Sequence, residues 1–306
     1  MTSSAKICCL IKDIKLTMRN EKEMFDLISQ TAQQDERIRA VILEGSRANP
    51  HASKDILQDY DIVYIVSEME LFVRDHEWVK CFGELLIMQI PDSMGDQPHS
   101  TEDHFAYLMQ FRDGTRIDLS LYTLEAFQKR GRDSLSVLLL DKDTTFESFP
   151  VADESDYLPH PPTSKAFDDC CNEFWWVCPY VAKGLWRGEI TYAKYMLDVI
   201  VRAQLMKLLN WYIGMRTEFK CNPGKEGKYF QKYLSTEEWE KLMRTYADAD
   251  PENNWRALFN MADLFRVIAQ QVAEHFALDY PNAEYQHVLV YLKQIQNMPK
   301  DKKELF

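Results

Sequence analysis

Two aspartates on alternate positions are the most informative residues of the sequence. Asp59 and Asp61 open the apolar run DYDIVYIV, and a third acid, Asp118, lies inside a second such run, TRIDLSLY. Side chains at positions i and i+2 of a β-strand point to the same face, so the first two carboxylates can share one divalent cation. An acid between Ile117 and Leu119 is unusual in a buried strand unless it is paired or bound to a metal. The alternative is that one aspartate of the pair ends a loop while the other lies on a solvated face.

The pair Gly45-Ser46 supplies a second chemical signal, because it follows the apolar run IRAVILE, where a strand turns into a predicted helix. Backbone N–H groups, the Ser46 hydroxyl and the positive helix end can bind phosphate oxygens at such a place. Arg47 comes next, and it either contacts a triphosphate or forms a salt bridge with Asp55 or Asp59.

Together, the three acids and the Gly-Ser turn predict a site for phosphoryl or nucleotidyl transfer with two bound metal ions. Such ions neutralise a triphosphate, lower the pKa of an attacking hydroxyl and stabilise the pyrophosphate that leaves. Asp118 can also accept the proton of the nucleophile.

The elements that must position these residues form two segments of different pattern. In residues 18–150, a helical stripe is followed by apolar runs rich in β-branched residues, and Asp113-Gly114 between two of these runs indicates a hairpin. A proline-rich, acidic stretch indicates a linker at residues 151–163, and residues 164–306 have a helical period. Residues 1–17 precede the first helical pattern, and we interpret them as an extraneous N-terminal extension.

These patterns predict an α+β protein with a mixed β-sheet flanked by helices in its N-terminal domain and an all-α bundle in its C-terminal domain. The predicted helices of the second domain include a long one at 191–215 and further ones near 236–249, 253–277 and 283–297.

Composition narrows the classes of partner. The chain has 306 residues, 46% of them hydrophobic, and a formal net charge of −12, so it can bury a core but lacks the basic excess typical of nucleic-acid-binding proteins. The acidic balance favours a cationic ligand, or it reflects solubility alone. Seven cysteines without metal-ligand spacing are typical of reduced thiols in a cytoplasmic protein, and no apolar run is long enough to span a membrane. We therefore expect a cytoplasmic protein, with a monomer favoured, that binds neither nucleic acid nor a membrane.

Several longer strings carry a resemblance to a known family. GSRANP, QDYDI and DGTRIDL, followed by CCNEFWWV, YVAKGLWRGEITYAKYMLD and WYIG, resemble the aminoglycoside 6-adenylyltransferases, the streptomycin-modifying enzymes of the nucleotidyltransferase superfamily. The Gly-Ser and Asp-x-Asp elements mark only the superfamily, whereas the longer strings are more specific. The resemblance extends from Met18 over almost the whole chain.

The resemblance implies the transfer of AMP from MgATP to the hydroxyl at the 6-position of the streptidine ring of streptomycin, with release of pyrophosphate and resistance to the antibiotic. It also implies that Gly45 and Ser46 bind the phosphates and that Asp59 and Asp61 hold two Mg²⁺ ions. The resemblance further implies that Asp118 is the third metal ligand and the catalytic base.

The acceptor pocket is expected in the helical half. Streptomycin carries two guanidinium groups, so its pocket should offer carboxylates and flat aromatic faces. Glu173, Trp175, Trp176 and Asp198 are the candidates, although tryptophans at helical spacing are also typical of a core. Lys194 either reaches the triphosphate or keeps its ammonium group in solvent.

Two other functions compete with this one. The first is a nucleotidyltransferase that acts on another small molecule or on a protein side chain. The second is a non-catalytic nucleotide-binding module, which the presence of all three acids disfavours.

Overall fold

The structure is a computed structural model in which residues 17–96 and 102–302 are described. The predicted N-terminal extension, residues 1–17, lies outside the described residues apart from Thr17.

The chain divides into two compact units, Met1–Asp156 and Tyr157–Phe306. The division falls within residues 151–163, the stretch predicted to be a linker. The assignment of nucleotidyl transfer to one unit and substrate binding to the other stays a prediction.

Six strands of the first unit form one mixed sheet. They are β1 (Ile38–Glu44), β2 (Tyr60–Val66), β3 (Leu85–Gln89), β4 (His104–Phe111), β5 (Arg116–Tyr122) and β6 (Ser136–Asp141). Their order across the sheet is β3-β4-β5-β2-β1-β6; β2 and β5 are parallel, and the other neighbouring pairs are antiparallel. The α-helices among the described residues of this unit are α1 (Glu21–Gln34), the short α2 (Gly45–Ala48), α3 (Met69–Arg74) and α4 (Leu124–Arg130).

The two faces of the sheet are covered differently. One face packs against α1, which starts at a capping box formed by Asn20 and Glu23 and buries Met24 and Ile28 completely. The hydroxyl of Tyr64 on β2 donates a hydrogen bond to the main-chain oxygen of Ile28 over 2.7 Å and so joins the helix to the sheet. The opposite face carries a smaller apolar cluster formed by Ala40, Ile42, Val63, Ile65 and Phe127. Because this apolar cluster is small, part of the second face is open to polar side chains.

The second unit is helical, as predicted. Its helices are α5 (Ser164–Arg187), α6 (Ile190–Tyr195), α7 (Arg202–Arg216), α8 (Phe230–Tyr233), α9 (Thr236–Met243), α10 (Pro251–Phe276) and α11 (Asn282–Gln296). They share one apolar core, in which Phe174 of α5 stacks on Phe265 of α10 with ring centroids 3.7 Å apart. The mixed sheet and the helical second unit confirm the predicted α+β fold class.

Two predicted helices have different bounds in the structure. The helix predicted at 191–215 is interrupted by a π-helical turn, Met196–Val201, between α6 and α7. The helix predicted near 236–249 ends at Met243, because the chain must turn before α10. Asp250 caps α10 by accepting a hydrogen bond from the Asn253 N–H over 3.0 Å, and the proline that follows Asp250 disfavours a helical residue before it.

None of the helices in the described part of the chain is long and apolar enough to cross a membrane. The cysteines within that part, which are Cys81, Cys170, Cys171, Cys178 and Cys221, are free thiols.

Candidate active site

The acidic residues singled out in the sequence come together through strand register. Asp61 on β2 lies directly opposite Asp118 on the parallel strand β5, and Glu44 on β1 lies opposite Asp61 from the other side. Residues opposite each other in neighbouring strands project to the same face. Asp59 precedes Asp61 by two positions and shares that face. Four carboxylates therefore meet on the less covered face of the sheet.

This concentration of negative charge perturbs the aspartates. Burial, and then the neighbouring carboxylates, raise the pKa of Asp61 to about 6. Burial also raises the pKa of Asp59, with Asp118 acting in the same direction and the Arg116 guanidinium opposing it. The site therefore has too little positive charge for its carboxylates, which is the condition under which a cation binds.

Gly45 is required next to these acids for two geometric reasons. Its φ of +69° is unfavourable for residues with a side chain. A Cβ atom at this position would also lie 2.4 Å from Oδ2 of Asp61, well inside the contact distance of real atoms. The Gly45 N–H donates a hydrogen bond to the main-chain oxygen of Leu135 over 3.1 Å. The geometry therefore supports a role for Gly45 in leaving room for Asp61, and its phosphate contact stays a prediction.

Ser46 follows Gly45 in the short helix α2. Its hydroxyl accepts a hydrogen bond from the side-chain amide of Gln58 over 3.5 Å, at the limit of such bonds. The hydroxyl thus has capacity for a further partner, and phosphate binding by Ser46 stays a prediction.

Arg116 binds two of the predicted metal ligands and was missed in the sequence. Its Nε and Nη2 atoms donate to Oδ1 and Oδ2 of Asp118, each over 2.8 Å, and its Nε lies 3.6 Å from Oδ2 of Asp59. Among residues 17–96 and 102–302, no three His, Cys, Asp or Glu side chains are gathered into a ready metal cluster. The donors are nevertheless the carboxylate oxygens that Mg²⁺ prefers, and Mg²⁺ usually binds one or two carboxylates and keeps several waters. The residues therefore fit the metal that the sequence predicts.

Arg47 has different partners from those expected. Its side chain is 8% exposed, and it donates hydrogen bonds to the main-chain oxygens of Gln58 (2.8 Å) and Asp59 (3.0 Å). Its guanidinium also lies over the ring of Tyr60 at 3.8 Å and pairs with the Glu21 carboxylate. The structure thus shows neither the salt bridge to Asp55 nor the one to the Asp59 carboxylate. Arg47 therefore fixes the main chain that leads into β2, because its guanidinium binds the carbonyl groups of Gln58 and Asp59, the two residues before that strand.

The tryptophans predicted to bind the acceptor line one cavity in the helical unit. Trp175 is 1% exposed and belongs to the core, whereas Trp176 is 63% exposed and presents an indole face. The cavity has a volume of about 710 Å³. It lies between α5 and α11 and is lined by Asn172, Trp175, Trp176, Pro179, Tyr180, Lys183, Glu284, His287, Val288 and Tyr291. Its carboxylate is Glu284, while Glu173 lies half-buried elsewhere on α5.

Lys194 and Asp198, to which different ligands were assigned, are partners of each other. Lys194 Nζ lies 2.8 Å from Oδ2 of Asp198 and donates a hydrogen bond to the main-chain oxygen of Ala247. Arg202 Nη2 lies 2.9 Å from Oδ1 of the same aspartate. Asp198 belongs to the π-helical turn, a feature frequent at functional sites. Both charges are balanced locally, and the proposed ligand contacts of the two residues stay predictions.

Comparison with known proteins decides the family. Residues 18–295 match the family described as streptomycin adenylyltransferase. The chain belongs to this family. An aminoglycoside 6-adenylyltransferase of Campylobacter jejuni is 41% identical over 265 residues, which are 86% of this chain and 92% of that protein. The protein of the same name from Bacillus subtilis (strain 168) is 39% identical over 267 residues, 87% of this chain and 94% of that protein. The one from Staphylococcus aureus is 36% identical over 269 residues, 87% of this chain and 95% of that protein.

One solved structure is also similar in sequence. The crystal structure of an aminoglycoside 6-adenyltransferase from Bacillus subtilis is 36% identical and covers 92% of this chain and 100% of its own, with a TM-score of 0.46. The sequence-based assignment to the family is confirmed by the family match and the three relatives. The chain is an adenylyltransferase, and adenylyl transfer implies ATP as its cosubstrate.

Two further residues of this adenylyltransferase extend the site beyond the predicted set. Arg130 of α4 forms an ion pair with Glu44, and the Ser136 hydroxyl lies 3.4 Å from the same carboxylate. The sequence contains a signal for Arg116, because it precedes Asp118 by two positions and must share its face. It contains none for Arg130, whose partner is distant along the chain.

Proposed function

We propose that this adenylyltransferase transfers AMP from MgATP to the hydroxyl at the 6-position of the streptidine ring of streptomycin and releases pyrophosphate. The observation that carries the proposal is the register of β2 and β5, which sets Asp61 beside Asp118 on an open sheet face. The 36–41% identity to proteins named aminoglycoside 6-adenylyltransferase supports an aminoglycoside as the acceptor. Modification of the antibiotic would give resistance to it.

The acidic residues divide the chemistry between them. Asp59 and Asp61 would hold two Mg²⁺ ions, together with Asp118. When bound, these ions supply charge neutralisation of the triphosphate and of the leaving pyrophosphate. Asp118 would accept the proton of the acceptor hydroxyl as its oxygen forms a bond to the α-phosphorus and the bond from that phosphorus to the bridging oxygen breaks. Ser46 would bind a phosphate oxygen through its hydroxyl.

Acceptor recognition is proposed for the helical unit. The exposed face of Trp176 suits the flat guanidinium groups of streptomycin, and Glu284 gives the cavity a carboxylate for a cation. Glu173 and Asp198 remain candidates for further carboxylate contacts, and Lys194 remains one for the triphosphate.

We also propose a cytoplasmic monomer that binds small molecules and not nucleic acid. The free thiols of the described cysteines support a reducing compartment, and the net charge of −12 disfavours a polyanionic partner.

Product analysis tests the proposal. The purified protein is incubated with MgATP and either streptomycin or a neomycin-type aminoglycoside, and pyrophosphate and the mass of the acceptor are measured. We expect pyrophosphate to be released with MgATP and streptomycin but not with MgATP and the neomycin-type aminoglycoside, and we expect streptomycin to become heavier by one AMP. Phosphorus–proton correlation in NMR spectra would locate the linkage. Transfer to the neomycin-type aminoglycoside instead would refute streptomycin as the acceptor. Binding of MgATP without transfer to either aminoglycoside would favour another class of acceptor.

A further inference from the structure

Arg116 occupies the position from which a cation would contact the acidic residues. Its guanidinium binds both oxygens of Asp118 at 2.8 Å and lies 3.6 Å from Oδ2 of Asp59. A two-pronged arginine–carboxylate pair uses both carboxylate oxygens. The oxygens that Asp118 would offer to a metal ion are therefore bound to an internal cation.

Strand register makes this placement a property of the backbone. Arg116 and Asp118 are two positions apart on β5 and face the same way. The parallel pairing of Tyr60 with Ile117 and of Asp61 with Asp118 continues back to place Arg116 alongside Asp59. A long cationic side chain at this position reaches both aspartates without any distortion of the sheet.

The guanidinium of Arg116 is also free to leave. Its side chain is 39% exposed, and its partners within the described residues are the carboxylates of Asp118 and Asp59. Arg47, in contrast, is 8% exposed and is held by two main-chain carbonyl groups. Rotation of the Arg116 side chain towards solvent breaks ion pairs but leaves no buried main-chain group without a partner.

We propose that Arg116 is an internal counter-ion that competes with the divalent cation for Asp118 and is displaced when the metal binds. A guanidinium and a divalent cation repel each other, so a guanidinium that holds both oxygens of a carboxylate weakens the binding of a divalent cation to it. In the absence of nucleotide, Arg116 thus occupies both oxygens of Asp118 and keeps the metal affinity low. MgATP brings its own cation together with anionic oxygens that can pair with the released guanidinium. The inference rests on the proposed metal role of Asp59, Asp61 and Asp118.

Binding of Mn²⁺ to the full-length protein without nucleotide tests this proposal, with free Mn²⁺ followed by electron paramagnetic resonance. We expect Arg116→Gln to bind Mn²⁺ at least about tenfold more tightly than wild type, a change of about 1.4 kcal/mol, and Arg116→Lys, which keeps the charge, to lie closer to wild type. Arg112→Gln is the matched control, because Arg112 is similarly exposed but pairs with Glu84. It should leave Mn²⁺ affinity unchanged.

Two results would overturn the inference. One is an Arg116→Gln variant that binds Mn²⁺ no more tightly than wild type. The other is an equal gain in Mn²⁺ affinity in Arg112→Gln, which would show that the gain comes from the change in net charge alone. Asp61→Asn separates this failure from failure of the proposed function. If that variant binds Mn²⁺ as wild type does, the metal site itself is wrongly placed; if it loses binding while Arg116→Gln changes nothing, only the counter-ion role fails.

Discussion

Replacement of Gly45 by alanine tests the close packing of the main chain against Asp61, a proposed metal ligand. An alanine Cβ would lie 2.4 Å from Oδ2 of Asp61, so the carboxylate must move by at least about 0.6 Å to reach the 3.0 Å that real atoms respect. The φ of +69° adds about 1–2 kcal/mol of strain for a residue with a Cβ atom. A displacement of about 1 Å at a reacting centre can lower the rate by about 100-fold. We therefore expect Gly45→Ala to lose between about 10-fold and 100-fold in kcat and about 1–2 kcal/mol in the free energy of unfolding.

A matched variant separates the two effects. Gly188 also has a left-handed φ, of +80°, but a Cβ there would meet nothing within 4 Å. Gly188→Ala should therefore lose similar stability while it keeps the turnover of the wild type. Turnover is measured by pyrophosphate release at saturating MgATP and streptomycin, and stability by urea unfolding. Equal turnover in Gly45→Ala and wild type would show that the position of Asp61 does not limit the reaction, and the reasoning would then be refuted.

Two further results are expected from the burial and charge of single residues. Because the pKa of Asp61 is raised from 3.8 to about 6, the folded protein binds more protons than the unfolded chain between these values, and stability falls as the pH rises through that range. Asp61→Asn should remove up to about 3 kcal/mol of this fall in the free energy of unfolding in metal-free protein. The free energy of unfolding is measured at pH 4 and pH 7 for the variant and for wild type. An unchanged pH dependence in the variant would contradict the raised pKa of Asp61. Trp176→Ala should raise the KM for streptomycin and leave both the KM for ATP and the stability unchanged, because the indole is exposed, whereas Trp175→Ala should lose about 3–5 kcal/mol of stability. An unaltered streptomycin KM in Trp176→Ala would remove that residue from the acceptor site.

Alternation along strands made much of the first unit predictable. The period of two in DYDIVYIV placed Asp59 and Asp61 on one face, and the Asp113-Gly114 turn correctly predicted the hairpin of β4 and β5. The register between β2 and β5 could not be predicted from the sequence, because it depends on pairing between strands that lie about 50 residues apart along the chain. The alignment of Asp61 with Asp118 therefore needed the structure.

The hydrogen-bond and ion-pair partners of side chains were less predictable than the strand face on which each side chain lies. The salt-bridge partners expected for Arg47 differ from those observed, because main-chain carbonyl groups, which leave no trace in the sequence, bind its guanidinium. Its contact with a triphosphate stays a prediction. The pairing of Lys194 with Asp198 has the spacing i and i+4, which joins side chains on one helix face, so it was open to prediction. The π-helical turn that contains Asp198 has no sequence signal comparable to a proline or a glycine.

Asp118→Asn is the most direct test of the central claim, which is that the carboxylates aligned on β2 and β5 carry out the transfer of AMP. Pyrophosphate release with MgATP and streptomycin is measured for this variant and for wild type, together with MgATP binding by calorimetry. We expect release to fall by at least about 1,000-fold, because both a metal ligand and the proton acceptor are lost, while the variant still binds MgATP. Release within about tenfold of the wild type would contradict the claim and place the chemistry elsewhere.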